Sequence, residues 1–320
     1  MKKRILTSIQ AAAIAACLWL LWRHFDGAAL LDGWRALAAR PAALLGMTAA
    51  YGAAFWLRAI AWRLYLPPAH RPRTSLLYHG LIYSLLINHI LPVKAGDVAR
   101  VGILWRRGGV PAALALQSVA AQRALDLAAL ALLAAAGAPH LLGASGAAPA
   151  LRSAAFVAAA AAACALGLRL ARRLPWPAVR RQAEYARDAL RGGRGAAIAA
   201  LTLASWLLEA AVVFAVAAAV AGPGAIAAFE AVWANAFTIA GGPAYVGPGG
   251  IGGYESAMSY ALARAGLGWT DALNAALLSH AYKFAFSYAA GLVTMLLLPI
   301  RLPEWREWFA RRKENVPWTE

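Results

Sequence analysis

The chain is short of acid, of cysteine and of any alternating polar/apolar pattern, and each shortage removes a class of protein. Only 14 of its 320 residues are Asp or Glu, and charged residues of both signs make up 14%. The two cysteines, Cys17 and Cys164, lie far apart within apolar runs, so neither a disulfide framework nor a CxxC-type metal site is supported. The apolar runs are rich in Ala and Leu and do not alternate, which excludes a membrane barrel. "GPGGIGGYE", residues 247–255, has no strand before it and no GK[ST] ending, so it is neither a Rossmann turn nor a P-loop. No cofactor and no metal is expected.

What the chain has in abundance is hydrophobic residues, 62% of the total, with a mean hydropathy of +0.58. Stretches of roughly 20 apolar residues, enough to cross a hydrocarbon core as helix, recur along its length. Lipid leaves backbone groups to satisfy one another, so these stretches must be helices. An all-α polytopic membrane protein follows, with spans expected near 5–23, 41–60, 112–136, 152–171, 197–221 and 271–299. The N-terminal "IAAC" ending at Cys17 superficially matches a lipoprotein cleavage box, but the apolar run continues through Trp22. An uncleaved first span is the expectation.

The formal charge of +17 does not point to nucleic acid, because the basic residues sit in short loops between apolar runs, as the positive-inside rule requires. Lys2, Lys3 and Arg4, then Arg63, Arg71 and Arg73, then Lys94, Arg100, Arg106 and Arg107, mark the cytoplasmic side. So do the basic loop at 173–195 and the tail at 301–320, whereas residues 137–150 carry no Lys, Arg, Asp or Glu and belong outside. Both termini are expected in the cytoplasm, and a bacterial inner membrane fits this arrangement.

The charge pattern is consistent only if two further segments, 75–107 and 227–268, return to the side they entered from. Each is predicted to be a re-entrant hairpin of broken helix, interrupted at Pro92 in the first and at "GGPAYVGPGGIGGYE" in the second. Residues 41–136 then form one repeat and 197–299 a second, running opposite, with 152–171 as a connecting span. Inverted repeats with discontinuous helices are a recurrent transporter design.

Polar residues inside apolar runs are the candidates for chemistry. Arg123 and Asp126 lie three apart on one helical face, and each alone would cost about 2.5–3.5 kcal/mol at the bilayer centre. They are expected to face a polar interior, either as a structural pair or as part of an anion site. His280 and Lys283 have the same spacing in the last span, and Lys283 needs Glu209, Glu255 or a bound phosphate as partner. Lys94, Asp97 and Arg100 follow the Pro92 break, where a restarting helix offers amide donors to a phosphate or rests on cytoplasmic headgroups. Asn88 serves either a ligand or the broken backbone. Gly249 and Gly250 permit the turn of the second tip, and Glu255 supplies an acid beside it.

"NHILPVKAGDVARVGILWRRGG", "SVAAQRALDLAAL" and "GPGGIGGYESAM", in that order, together resemble the lysylphosphatidylglycerol synthase transmembrane-region family, which includes stand-alone and hopanoid-associated members. The resemblance covers nearly the whole chain and implies movement of a polar-headed, anionic or phosphate-containing lipid between leaflets. Asn88, Pro92, Gly96, Asp97, Arg100, Arg123, Asp126, Gly249, Gly250, Gly252 and Glu255 match its pattern. The soluble aminoacyl-transferase domain of synthase members does not follow the membrane part here. Two other readings stay open: an integral-membrane transferase using Asp97 or Glu255 as base, and a non-transporting partner of lipid-biosynthesis enzymes. A membrane lipid is the expected substrate and anionic headgroups the expected contact of the cytoplasmic face; the oligomeric state is left open.

Overall fold

The computed structural model describes residues 27–90, 95–142, 149–171, 173, 177–242, 245 and 250–299. Among them there are helices and no strand: α1 (Gly27–Ala38), α2 (Pro41–Tyr65), α3 (Thr74–Ile90), α4 (Gly96–Arg106), α5 (Ala112–Ala136), α6 (Ala138–Leu141), α7 (Pro149–Ala171), α8 (Pro177–Ala189), α9 (Gly192–Ala221), α10 (Ala228–Gly241), α11 (Gly253–Arg264) and α12 (Trp269–Leu297). The expected span at 5–23, the tail at 301–320, Pro92, Lys94 and Gly249 lie outside the described residues.

Helices α2, α5 and α9 are long and apolar enough to cross a membrane, at 25, 25 and 30 residues. At 1.5 Å per residue even the shorter two reach about 37 Å. Helix α12 has 29 residues and buries Asn274, Ser279, His280, Lys283, Ser287 and Thr294, more polar side chains than any of the other three. The protein is a helical membrane protein. Helix α1 was not anticipated: Leu30, Leu31, Trp34 and Leu37 recur at helical spacing, yet the run is too short to register as a span.

The chain divides into two compact units. One draws its described residues from Met1–Tyr51, Leu130–Ala158 and Leu207–Phe284, and the other from Gly52–Ala129, Ala159–Trp206 and Ala285–Glu320. They are called the C-unit and the N-unit here, after the helix pair that each contains.

In the N-unit, α3 packs back on α4 through Tyr83, Ala99 and Ile103, with Leu76 and Ile87 against them. Gly96 makes the return possible, because a Cβ there would collide with the Ser84 carbonyl oxygen. Its amide instead donates to Asn88 Oδ1 at 2.9 Å, closing the break between the two helices. The basic helix α8 docks on the end of α2: Tyr185 donates to the Tyr65 carbonyl at 3.2 Å, and Ala61, Tyr65, Ala189 and Ile198 form a small core beneath it. The loop read as basic and helical is therefore anchored by its apolar face.

In the C-unit, α10 and α11 form the second packed pair. Tyr245 wedges between them where three glycines leave room. A Cβ on Gly253 would come within 2.6 Å of the Tyr245 ring, and one on Gly241 within 2.7 Å of its hydroxyl, which donates to the Thr238 carbonyl. Gly250 and Gly252 adopt φ of 78° and 86°, a region open to glycine at little cost, and so turn the chain into α11. The short α6 ties to the far end of α11, where Tyr260 donates to the Leu141 carbonyl at 2.8 Å and Arg264 to the His140 carbonyl at 3.0 Å.

Candidate functional site

The N-unit buries a constellation of charge around α2, α4, α5 and the middle of α9. Asp97, the second residue of α4, receives Arg123 from mid-α5: Nε and Nη2 both reach its carboxylate, the latter at 2.8 Å. A bidentate guanidinium–carboxylate contact fixes orientation as well as charge. Arg100, one turn further along α4 and only 1% exposed, donates to Asp97 at 3.3 Å and to Gln122. Its guanidinium also lies 4.6 Å over the Trp62 ring, and Trp62 in turn donates to Ser118 at 3.0 Å. Ser118, Gln122 and Asp126 recur every four residues on α5, so they form one polar stripe.

Arg58 completes the group from α2. Its Nε donates to Ser205 Oγ at 3.1 Å and its plane lies 3.8 Å over the Trp206 ring. Trp206 Nε1 donates to Asp126 at 3.3 Å, and Arg58, Arg123 and Arg100 all act on Asp126 electrostatically. Three guanidinium groups thus gather around two carboxylates, and the named charges carry a positive excess. Arg123 is the member that faces outward: its side chain is 43% exposed and Asp97 27%, against 2% for Arg100.

The C-unit has a centre of its own between α9, α10, α11 and α12. Glu255, the third residue of α11, accepts the Gly252 amide on Oε2 at 2.6 Å and pairs through Oε1 with His280 Nδ1, also at 2.6 Å. The imidazole is stacked on the Tyr254 ring with centroids 4.1 Å apart, and Phe284 lies on it at 4.8 Å. Lys283, one turn along α12, donates to Glu209 of α9 and to Asn235 of α10, each at 3.0 Å. Tyr254 and Tyr51 present their faces to the ammonium at 5.3 and 5.9 Å. Lys283 and Glu209 are 4% and 5% exposed, so this pair is closed to water.

Among the residues singled out from the sequence, Asp97, Arg100, Arg123 and Asp126 come together in the N-unit, and Glu255, His280 and Lys283 in the C-unit. Arg123 takes Asp97 as its direct partner, while Asp126, three residues along its own helix, bonds to Trp206. Of the three candidates for Lys283, Glu209 is the one in contact. Asn88 bonds the backbone of the break, and Gly250 shapes the turn before α11. Arg58, Gln122, Trp206 and Asn235 were missed; the signal available was an arginine, a glutamine and an asparagine inside largely apolar runs.

The two centres share one layout. Counting from Ala112 of α5 and from Trp269 of α12, Arg123 and His280 are both the twelfth residue, and Asp126 and Lys283 both the fifteenth. In each unit the twelfth residue pairs with a carboxylate in the first turn of the preceding short helix, Asp97 or Glu255. The fifteenth meets an opposite charge from the long helix before that pair: Arg58 acts on Asp126, and Glu209 bonds Lys283. The sign of the second interaction is reversed between the units.

The profile of the family described as the lysylphosphatidylglycerol synthase TM region matches residues 7–291. The chain belongs to this family. Neither a curated protein nor a solved structure matches the chain. Membership in a lysylphosphatidylglycerol synthase TM-region family agrees with the helical, apolar architecture and gives the protein a function related to membrane lipids.

Proposed function

We propose that this member of the family is a lipid translocase of the bacterial inner membrane, moving a polar-headed lipid with an anionic or phosphate-containing headgroup between leaflets. The observation that carries the reading is Arg123: a guanidinium at the middle of an apolar helix of membrane-crossing length, still partly open, in a cluster with a positive excess. Such a charge is expensive in hydrocarbon unless something polar meets it. A headgroup phosphate matches the guanidinium fork as Asp97 does, and its arrival would exchange one bidentate partner for another. Arg100 adds positive charge at the same place and, with Trp62, forms its fixed floor.

The packed pairs α3–α4 and α10–α11 are re-entrant hairpins in this reading, α2, α5, α7, α9 and α12 are full spans, and both termini are cytoplasmic. The shared layout of the two centres supports an inverted repeat, since equal positions along α5 and α12 carry equivalent roles. Asp97, in an ion pair with Arg123, and Glu255, bonded to His280 and the Gly252 amide, are the carboxylates that a membrane transferase would need as a free base, and their engagement favours translocation over group transfer.

Binding is tested by titrating detergent-purified protein with short-chain phosphatidylglycerol or phosphatidylcholine and following tryptophan fluorescence, since Trp62 and Trp206 both lie under arginines of the cluster. Anionic lipid should bind at least tenfold tighter than zwitterionic lipid to the wild type, and Arg123→Ala should remove the difference. Equal binding of both lipids, or no change in the folded variant, would reject the site.

A further inference from the structure

We propose that the Glu255–His280 pair is a proton-loading site, the titratable counterpart in the C-unit of the permanently charged Asp97–Arg123 pair. This inference rests on the translocase reading for its purpose, but its chemistry is local and is tested separately.

Arg123 and His280 are the twelfth residues of α5 and α12, and each meets a carboxylate from the first turn of the preceding short helix. A guanidinium does not give up its proton in a protein, so Arg123 keeps its charge across the range in which imidazole titrates. Imidazole is the side chain whose ordinary titration falls between about pH 5 and 8. The same structural position is therefore fixed in one unit and switchable in the other.

The surroundings make that switch consequential. The titratable and charged groups that face the pair are Tyr254 and Glu255 of α11, Lys283 on α12 itself, Glu209 from α9, Tyr51 from α2 and Tyr245 from the turn before α11. From α10 comes only a neutral amide, Asn235. With Glu255 and Glu209 ionised and Lys283 charged, a neutral His280 leaves the centre with one negative charge, and an imidazolium brings it to zero. His280 is 4% exposed and lies between Tyr254 and Phe284, so this change of charge takes place in a largely buried site.

The proton is accounted for as follows. With Glu255 ionised, Oε1 can only accept, so the Nδ1 that faces it at 2.6 Å carries its hydrogen in both states. The proton that comes and goes is on Nε2, passing to or from water, and no covalent bond other than N–H is made or broken. Glu255 is held in place throughout, because Oε2 is bound by the Gly252 amide at the start of α11. Loading one proton thus changes the charge beside the break before α11 without loosening the cap that defines it. An alternating-access protein needs a place where an ion from one side alters the stability of one conformation, and broken helices are where such sites form.

The test uses the full chain in lipid nanodiscs with nitrogen-15-labelled histidine, following imidazole resonances by NMR between about pH 5 and 8.5. Of the 6 histidines in the chain, the one whose resonance is lost in His280→Gln should titrate in the wild type. Glu255→Gln, which keeps the shape of the acceptor, should displace the same titration by at least tenfold in proton affinity, and so identifies the resonance even if His280→Gln fails to fold. A resonance of His280 that does not move across this range, or one indifferent to Glu255→Gln, overturns the proposal. In proteoliposomes the leaflet-exchange rate of the wild type should change with pH, while His280→Arg, which copies Arg123, should remove that dependence. An exchange rate in His280→Arg with the pH dependence of the wild type overturns the coupling. A titrating His280 in a protein that exchanges no lipid of any class would sink the translocase reading and leave the proton site standing.

Discussion

Replacing Glu209 by glutamine strips the counter-charge from an ammonium that has no access to water. Lys283 and Glu209 are 4% and 5% exposed and 3.0 Å apart. At that distance, with an effective dielectric constant of roughly 20, the direct attraction is about 5 kcal/mol. Much of this offsets the cost of removing both ions from water, so the pair as a whole stabilises the fold little. Breaking it from one side is a different matter, because the remaining ion keeps its desolvation cost and loses its compensation, about 3–5 kcal/mol. Asn235 and the faces of Tyr254 and Tyr51 soften the loss without replacing the charge. Glu209→Gln and Lys283→Met should therefore each destabilise the protein by about 3 kcal/mol or more, and the double variant by less than either. The assay is reversible unfolding in mixed detergent micelles, read as a double-mutant cycle. Single variants within about 1 kcal/mol of wild type, or a double variant equal to the sum of the two, would refute the claim that these charges are buried against one another.

Gly96→Ala should push α4 off α3, since its Cβ meets the Ser84 backbone and cannot be accommodated by a side-chain rotation; a loss of about 1–3 kcal/mol is expected in the same unfolding assay. Trp206→Phe keeps a ring under Arg58 but removes the donor to Asp126, so about 1.5–3 kcal/mol should be lost, and a variant indistinguishable from wild type would show that this contact is idle. Tyr185→Phe removes the hydrogen bond to the Tyr65 carbonyl while keeping the ring contact at 5.4 Å. Protease cleavage within residues 173–195 should then accelerate, with overall unfolding changed by no more than about 1 kcal/mol.

The long helices were legible because length and apolarity are local properties. The expected span 112–136 coincides with α5, and 41–60 and 197–221 differ from α2 and α9 by the five residues that continue each helix at one end, 61–65 and 192–196. The two broken segments were legible from glycine and proline, and each contains two packed helices. The pairing of charges was not legible. Helical spacing put Arg123 with Asp126, because sequence shows neighbours along one helix; the partner that Arg123 takes is across a turn, on α4. Arg58 escaped notice for a related reason: an arginine near the end of an apolar run reads as a flank that reaches for the interface, and only tertiary packing against Trp206 and Ser205 turns it inward. The equality of positions along α5 and α12 needed helix starts accurate to one residue, which propensity does not provide.

The most direct test of the account is leaflet exchange in proteoliposomes, with headgroup-labelled anionic, zwitterionic and cationic lipids and a membrane-impermeant quencher, for wild type beside Arg123→Ala and Asp97→Asn. The account predicts that wild type exchanges a phosphate-bearing anionic lipid faster than the others, that Arg123→Ala abolishes this exchange while remaining folded, and that Asp97→Asn, which leaves the guanidinium free to meet a headgroup, still binds the lipid. Exchange at the wild-type rate by a folded Arg123→Ala protein would contradict it.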